Sequence, residues 1–261
     1  MKKTIRVATY NIAHCLDFST FQPPQVPSRD LSVLPQKTGE VIRSLNATIV
    51  GLNEVYETGE NALNEQPKTL ANVANKPYFA FGEAICFQCC EELARYGNAL
   101  LADKKVISTE VIKVPAPKTG ERRDGENGYY EDRAILRAEI DVDDEKFTVL
   151  VTHFGLNLLE QERMVAAITN IIDEVKTHVI LMGDFNVTPH SPVLQPVYDR
   201  LQSAADVAGN TDYTFSSFKP ECTLDYIFVS KEFSVEKFEV INNRTSDHRP
   251  CVATLSYKKT V

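Results

Sequence analysis

Short apolar runs with the composition of β-strands recur along almost the whole chain, and they constrain the fold more than any other feature. The runs lie at 5–10, 47–52, 78–84, 98–102, 106–114, 134–140, 147–152, 179–182, 224–229, 238–241 and 252–256. Helical apolar spacing is clear only at 36–46 and 158–175, and a buried strand-like run follows each of these segments. Many strands with only three or four helices predict two β-sheets packed face to face, with helices outside.

Polar residues that carry chemistry fall at the ends of six of these runs. They are Asn11, Glu54, His153, Asp184, Asp225 and Asp247. Strand ends on one rim of a sheet stack are where loops converge to make a site, so we expect these side chains to meet.

Size and composition predict one globular domain that spans residues 1–261. The 261 residues are 43% hydrophobic, which is enough to bury a large core, and neither a spacer-like linker nor a fixed repeat interrupts the sequence. The formal charge of −8 weighs against non-specific binding to nucleic acid without excluding it, because a carboxylate cluster built for metal would contribute to that charge. The first residues lack the apolar region of a signal peptide, and no apolar stretch reaches the length of a membrane helix, so we expect a cytoplasmic protein.

Two carboxylates and one amide suit a divalent metal site. Magnesium-type sites use a few hard oxygen ligands and leave the other positions to water and substrate phosphate. Glu54 and Asp247 suit direct ligation, while the amide oxygen of Asn11 is able to position a ligand or a water. A single glutamate after a strand is more often part of a solvated turn, so the interpretation depends on the other residues.

A histidine next to one of these carboxylates is the natural general base. The imidazole of His248 is able to take a proton from water near neutral pH. Such a base needs a carboxylate on its other ring nitrogen, and Asp225 is the leading candidate because it lies in an apolar run, where an unpaired charge is costly. The alternative for Asp225 is an edge-strand position that faces water.

Three further residues are candidates for contact with a phosphate. Asp184 and Asn186 lie two apart and point the same way in extended chain, so Asp184 is able to orient a water or assist the leaving group, while Asn186 donates to a non-bridging oxygen. His153 ends an apolar run and is placed to bond a phosphate. The structural alternatives are a Gly-Asp turn for Asp184 and a core histidine for His153.

Several other features are assigned structural roles. The cluster Cys86, Cys89 and Cys90 lacks a second pair of ligands at zinc-finger spacing, so we interpret it as incidental thiols, and the sequence does not settle its role. His14, His178 and His190 are predicted to be surface or packing residues, and Arg133 and Asn98 are predicted to brace the structure. The basic stretch 118–123 is interpreted as a solvated loop, and the proline-rich loop 13–36 as a candidate rim that faces substrate.

Seven peptides, taken in order, resemble the endonuclease/exonuclease/phosphatase superfamily. They are Thr-Tyr-Asn11, Leu-Asn-Glu54, Gly-Asn98-Ala-Leu-Leu, Thr-His153, Gly-Asp184-Phe-Asn186, Leu-Asp225-Tyr-Ile-Phe and Ser-Asp247-His248-Arg-Pro. Each is weak alone, but the ordered set spans residues 9 to 250. The resemblance is therefore specific.

The resemblance implies an α/β (α+β) fold, a four-layer sandwich of two mixed sheets, and a Mg²⁺- or Mn²⁺-dependent site that hydrolyses phosphate esters. It implies metal binding by Glu54, with Asn11 and Asp247 completing the metal environment. It also implies that His248 is a general base paired with Asp225. The remaining catalytic roles fall to Asp184 and Asn186, which handle the attacking water and the transition state, and to His153, which contacts phosphate.

Differences between this sequence and particular subgroups of the superfamily narrow the range of expected substrates. The chain has Leu-Asp225-Tyr where the inositol polyphosphate phosphatases carry Cys-Asp-Arg. It also has no tryptophan, whereas apurinic endonucleases insert apolar or aromatic side chains, including tryptophan, around the abasic site. It looks more like small bacterial hydrolases, similar to sphingomyelinase-like and pancreatic-type nuclease members. We expect a phosphodiesterase acting on a small molecule, a lipid headgroup or nucleic acid; the alternatives are a nuclease or a non-catalytic binding module. The substrate, the monoester or diester preference, the preferred metal and the oligomeric state are left open.

Overall fold

The computed structural model describes residues 2–21, 33–58, 65–89, 92–126 and 128–258, with the side chains of Cys89 and Glu92 left aside. The helices are α1 Pro35–Ser44, α2 Gln66–Val73, α3 Leu158–Glu174, α4 Gln195–Arg200 and α5 Ala204–Ala208. The strands are β1 Lys2–Asn11, β2 Ile49–Thr58, β3 Tyr78–Cys89, β4 Glu92–Ala102, β5 Val106–Val114, β6 Arg133–Val142, β7 Glu145–His153, β8 His178–Asp184, β9 Gln202–Ser203, β10 Asp225–Val229, β11 Ser234–Val240 and β12 Cys251–Lys258.

The strands form two mixed sheets of six strands each. The strand order is β11-β12-β1-β2-β4-β3 in the first sheet and β5-β6-β7-β8-β10-β9 in the second. Parallel pairing occurs between β1 and β2 and between β7 and β8, and the other pairs are antiparallel. The parallel pairing of β1 with β2 stops at Asn11 and Asn53, and that of β7 with β8 stops at His153 and Asp184. Both pairings stop at the same edge of the stack, which is why these residues become neighbours.

An apolar core between the sheets and two apolar layers outside them build the sandwich. Val7 and Ile49 of the first sheet pack with Val149 and Ile180 of the second in one buried cluster. Met164 and Ile168 of α3 cover the outer face of the second sheet, and Ile42 of α1 and Leu70 of α2 cover the outer face of the first. The predicted α/β four-layer sandwich of two mixed sheets is thus confirmed.

Element boundaries differ from the predictions mainly where polar residues extend a strand. Strand β3 ends at Cys89 and strand β4 begins at Glu92, so both are longer than the apolar runs at 78–84 and 98–102. The two strands extend this far because they pair with each other along their whole length. Helices α2, α4 and α5 were not predicted, since they have only five to eight residues and little periodic pattern. Among the residues described, no helix is long and apolar enough to cross a membrane. The single domain over residues 1–261 stays a prediction.

Asn53 ties the two sheets together just beneath the site. Its amide nitrogen donates to Asn98 Oδ1 and to the carbonyl of Thr152, both at 2.8 Å, and its amide oxygen accepts from the backbone nitrogen of Asp184 at 2.9 Å. The side chain is fully buried, so each of these partners depends on it for a hydrogen bond.

We expect Asn53→Ala to lower the free energy of unfolding by about 2–4 kcal/mol, because it leaves buried donors and acceptors without partners. Urea unfolding followed by circular dichroism measures this change. Asn170→Ala is the matched control: Asn170 is exposed on α3, and alanine there should leave stability unchanged or slightly raised. A loss at Asn53 no larger than at Asn170 would contradict the assigned role.

Candidate active site

Four of the predicted residues meet because of strand pairing at one edge of the sheets. Asn11 ends β1, and His153 and Asp184 end β7 and β8 directly opposite each other. Asp225 begins β10 and pairs with Asp184 across the antiparallel ladder. Gly183 makes this edge possible: its φ is 147°, and a Cβ there would lie 1.8 Å from the carbonyl oxygen of Thr152.

A buried histidine and carboxylate pair lies at the centre of the site. Nδ1 of His248 is 2.9 Å from Oδ2 of Asp225, and both side chains are almost completely shielded from solvent. Since the carboxylate accepts, Nδ1 carries the hydrogen and Nε2 is the nitrogen that faces Asp184, at 3.5 Å from its Oδ2. Burial alone would lower the pKa of His248, but the charges of Asp225 and Asp184 outweigh it and hold that pKa well above its usual value.

Asp184 is held in one orientation by hydrogen bonds to each of its oxygens. Oδ1 accepts from the backbone nitrogen of Asn186 at 2.9 Å, and Oδ2 accepts from the amide of Asn11 at 2.9 Å. Burial raises the pKa of Asp184 above its usual value, and the neighbouring charge of Asp225 adds to the effect. The carboxyl group is therefore fixed between the two histidines, His153 and His248.

Glu54 reaches the site from within a strand, not from the end of one. The predicted strand end at Asn53-Glu54 is wrong, because β2 continues to Thr58 past an irregularity between Leu52 and Val55. Glu54 has a φ of 58° at this point, so its side chain is turned out of the alternation of the strand. Its two oxygens lie 3.1 Å from the amide nitrogen of Asn11 and 3.1 Å from Nε2 of His14.

Asp247 lies in the loop before β12 and faces the same pocket as Glu54. The Ser246 hydroxyl holds this loop to the end of β1, 2.8 Å from the carbonyl of Asn11 and 3.2 Å from Oδ1 of Asp247. Burial raises the pKa of Glu54, and the charge of Asp247 raises it further, so the two carboxylates repel each other. Two partly shielded acidic groups that line one pocket and repel each other are suited to a shared cation.

These residues fit a divalent metal on the side of the pocket that holds Glu54 and Asp247. The amide oxygen of Asn11 accepts from the backbone nitrogen of Ala13 at 3.1 Å, so the amide group braces two carboxylates and its oxygen is already engaged. The ligand atoms of Asp184, Asp225 and His248 also lie within 4.8 Å of one another. Their closest contact is the hydrogen bond that fixes the imidazole, however, so Glu54 and Asp247 remain the predicted ligands.

His153 lines the pocket with its two ring nitrogens in contact with Arg133 on one side and with Asn186 and Asp184 on the other. The guanidinium of Arg133, which is only a donor, lies 3.2 Å from Nδ1 of His153, so the ring hydrogen is on Nε2. Burial lowers the pKa of His153 well below its usual value, and the charge of Arg133 lowers it further. Asn186 lies beside it, with its amide nitrogen 3.2 Å from Nε2 and 3.0 Å from the carbonyl of Phe154. The group offers a ring of hydrogen-bond donors to an anion.

These groups line an open cavity of about 700 Å³. The predicted residues Glu54, His153, Asp184, Asn186, Asp247 and His248 all contribute to its lining. Asn11 and Asp225 lie behind it and act through their contacts with Asp184 and His248. All eight predicted site residues are thus gathered in one place, while their chemical roles stay predictions.

Several cavity residues were not predicted from the sequence. His14 was expected to be a surface or packing residue, but it lies in the cavity beside Glu54. It is held in a left-handed turn in which Ala13, His14 and Cys15 all have positive φ, a conformation that no glycine in the sequence signals. Arg133, assigned a bracing role, lines the cavity with an ion pair to Glu131 at 3.1 Å.

The remaining features keep to the periphery of the site. Cys86 is an exposed free thiol, and Cys90 lies outside the described residues, as do residues 22–32 of the predicted rim loop. Both arginines of the basic stretch 118–123 are engaged within the protein. The guanidinium of Arg122 stacks 4.2 Å from the ring centroid of Tyr130, and Arg123 makes a double hydrogen bond to Glu162.

Solved structures with the same fold cover nearly the whole chain. An endonuclease/exonuclease/phosphatase from Bacteroides vulgatus is 20% identical with a TM-score of 0.73, covering 98% of this chain and 100% of its own. The mannosyl-6-phosphatase Bt3783 of Bacteroides thetaiotaomicron is 15% identical with a TM-score of 0.72, covering 96% and 99%. The human Nocturnin catalytic domain with bound sulfate is 18% identical with a TM-score of 0.67, covering 98% and 95%. At these identities the likeness shows the fold alone.

A family profile gives the stronger assignment. No curated protein matches the sequence significantly. The profile of the endonuclease/exonuclease/phosphatase family matches residues 8–248, from the middle of β1 to the histidine of the central pair. Members of this family are generally hydrolases of phosphate esters and typically use divalent metals. Because the match takes in nearly all of the two-sheet core and the whole site, the chain belongs to the endonuclease/exonuclease/phosphatase family.

Proposed function

We propose that this protein is a Mg²⁺- or Mn²⁺-dependent phosphodiesterase that hydrolyses small phosphate diesters by direct attack of water on phosphorus. The observation that supports this most is the buried His248 and Asp225 pair, whose free nitrogen faces Asp184 and the cavity. A histidine fixed in this way is a general base with a defined tautomer. Acidic groups beside it, and neutral donors across the cavity, supply the rest of the site.

His248 and Asp184 together handle the attacking water. Nε2 of neutral His248 accepts a proton from a water in the cavity as its oxygen bonds to phosphorus, while the bond from phosphorus to the leaving alkoxide breaks. Asp225 steadies the imidazolium that forms, because its carboxylate lies 2.9 Å from Nδ1. Asp184 is fixed within 3.5 Å of Nε2 and accepts the second hydrogen of the water, which orients its lone pair.

His153 and Asn186 stabilise the charge that develops on the phosphoryl oxygens. Arg133 occupies Nδ1 of His153, so the ring hydrogen is on Nε2, and the ring lines the cavity that receives the phosphate. Such pre-oriented donors gain strength in a site that excludes water, and they need no reorganisation as the charge appears. Arg133 acts through His153 by fixing its tautomer.

Glu54 and Asp247 would hold the metal, and Asn11 would keep Glu54 and Asp184 in place. The bound cation supplies positive charge that offsets the repulsion between the carboxylates, favours neutral His248 and withdraws charge from the phosphate. The chain's own residues do the rest: they bind and orient the ester, fix the water and move its proton.

The charge of the cavity favours diesters over monoesters and over nucleic acid. Among the described residues that line it, Arg133 is the only lysine or arginine, and it is already paired with Glu131. A diester carries one negative charge, whereas a monoester carries nearly two at neutral pH. Binding of a nucleic-acid backbone needs several free cations, but Arg122 and Arg123 are engaged within the protein.

Hydrolysis of a chromogenic phosphate diester and of the matching monoester tests the proposal. Each ester is assayed with Mg²⁺, with Mn²⁺ and with chelator. We expect turnover that depends on metal and a higher kcat/KM for the diester. Preference for the monoester would overturn the diester assignment, and equal turnover in chelator would overturn the metal dependence.

Salt dependence separates a small-molecule esterase from a nuclease. We expect KM for a small diester to change less than about twofold between about 50 and 200 mM salt, because binding releases few counterions. A nuclease that neutralises 6–10 phosphates would lose affinity by about 10³ to 10⁵ over the same range. If KM for single-stranded or duplex DNA or RNA rises steeply with salt, and turnover of that nucleic acid is faster than turnover of the small diester, the result would favour the nuclease.

A further inference from the structure

One wall of the cavity is built of aromatic rings that the catalytic groups do not use. His14, Tyr56 and Tyr96 form a contiguous cluster with ring centroids 4.8 to 5.5 Å apart, and Phe87 meets Tyr56 edge-on at 6.2 Å. All four rings line the cavity. The cluster, called the aromatic wall below, joins the catalytic end through His14, whose Nε2 lies 3.1 Å from Glu54.

Strand register explains why these rings share one face. Tyr56 of β2 pairs directly with Tyr96 of β4, and Tyr96 pairs with Ile85 of β3. Phe87 lies two residues beyond Ile85 and so points to the same side of the sheet. The cross-strand row Tyr56, Tyr96 and Ile85, extended by Phe87, therefore makes a continuous surface that leads away from the catalytic end.

This surface is open to solvent at its outer end. Phe87 is 38% exposed, and Tyr129 and Leu156, which also line the cavity, are 57% and 49% exposed. Core packing does not account for large apolar side chains that converge on one cavity while remaining exposed. Exposed apolar groups gathered in this way mark a place where a ligand is bound.

The polar groups near the aromatic wall define the ligand further. Glu131 and Arg133 line the same cavity as a paired donor and acceptor, and Arg133 is the only lysine or arginine among its described lining residues. A second phosphate would lack a free cation there. A neutral ring with a polar edge does not need a free cation. Its face packs on the aromatic side chains, and its hydroxyl or amino groups pair with Glu131 and Arg133.

We propose that the aromatic wall is a subsite for the alcohol part of the substrate, and that it takes a neutral ring that presents a flat face, either a sugar or a nucleobase. The proposal rests on the proposed function, because it places the ring beside the phosphate that the catalytic residues hydrolyse. A cavity of about 700 Å³ has room for both parts.

Methyl phosphodiesters of four alcohols test the subsite: glucose at its 6-position, adenosine at its 5′-position, glycerol and octanol. None carries a chromogenic aryl group that would compete with the test alcohol for the aromatic wall, and release of the monoester is followed by phosphorus NMR. We expect kcat/KM for at least one ring ester to exceed that for the glycerol ester by about tenfold, the gain of stacking one ring on an aromatic surface. The glucose and adenosine arms identify the source of the ring.

Phe87→Ala and Phe79→Ala are the matched variants, because both residues are exposed phenylalanines on β3 and only Phe87 lines the cavity. Phe87→Ala should raise KM for the preferred ring ester about tenfold, with kcat and the glycerol ester unchanged. Phe79→Ala should change neither ester. Equal kcat/KM for ring and glycerol esters, an equal loss on both in Phe87→Ala, or a preference for the octanol ester overturns the ring subsite and leaves the proposed function standing.

Failure of the proposed function gives a different result. If none of the four esters is hydrolysed, the hydrolase assignment fails, and binding decides the subsite. Titration calorimetry of the same esters on the His248→Asn protein should then show about tenfold tighter binding of a ring ester than of the glycerol ester. Phe87→Ala in that background should remove the difference, and retention of the difference overturns the subsite.

Discussion

His248→Asn is expected to lower kcat for a phosphodiester by about 10³-fold, because it removes the nitrogen that takes the proton from water. Asparagine is preferred to alanine here. Nδ1 of His248 donates to buried Asp225, and removing that donor would leave a buried charge unpaired at a cost of about 3–5 kcal/mol. The amide nitrogen of asparagine can take the place of Nδ1, so the variant should remain folded while losing the base.

His190→Asn is the matched control for this variant. His190 is the most exposed of the five histidines, with 70% of its side chain accessible, and its φ is 59°, a conformation that asparagine tolerates well. It lies outside the catalytic cavity, so kcat and KM should match the wild type. Steady-state kinetics and near-ultraviolet circular dichroism check both variants. A folded His248→Asn protein that keeps more than about a tenth of the wild-type kcat would show that His248 is not the general base.

Glu54→Gln is expected to weaken binding of Mn²⁺ and Mg²⁺ by at least about 100-fold while leaving the metal-free protein folded. Losing a residue that only supports a ligand costs about 10 to 100-fold in metal affinity, and a ligand itself should cost no less. The metal-free protein gains from relief of the repulsion between Glu54 and Asp247, so its free energy of unfolding should stay within about 1 kcal/mol of wild type. Titration calorimetry measures the affinity directly.

A thermal measurement gives a second readout of the same change. A ligand at about 100 times its dissociation constant stabilises a protein by about 2.7 kcal/mol, so Mn²⁺ should raise the Tm of the wild type and not that of Glu54→Gln. Glu57→Gln is the control, since Glu57 lies on the same strand and pairs with Arg95 away from the catalytic cavity. If Glu54→Gln and Glu57→Gln bind Mn²⁺ equally, the metal has been placed on the wrong residues.

The composition and order of the strand-like runs predict most of the fold, and they also predict that the site residues come together. The apolar runs that end at Asn11, His153 and Asp184 are real strands whose last residues share an edge, because β7 and β8 are parallel and the parallel pairing of β1 with β2 stops beside them, at Asn11 and Asn53. The spacing and the composition of apolar residues predict such strands well, since each strand is buried on at least one face. The pairing of His248 with Asp225 also follows from sequence, because a carboxylate in an apolar run needs a partner.

Local backbone geometry is what the sequence did not reveal. Glu54 enters the site through an irregularity within β2, and His14 enters through a left-handed turn, both without a glycine. These conformations are held by tertiary contacts, here the meeting of Glu54 with Asn11 and His14. The aromatic wall was missed for a related reason. Tyr56, Phe87 and Tyr96 share a face only once the register of β2, β4 and β3 is known.

The stereochemical course of hydrolysis tests most directly whether water attacks phosphorus without a covalent intermediate. A small diester made chiral at phosphorus with sulfur is hydrolysed by the wild-type protein in ¹⁸O-labelled water with Mg²⁺, and the configuration of the product monoester is determined. Direct attack by a water that His248 deprotonates predicts one labelled oxygen in the product, with inversion at phosphorus. Retention of configuration would contradict it, because two successive displacements through a phosphorylated side chain give that result.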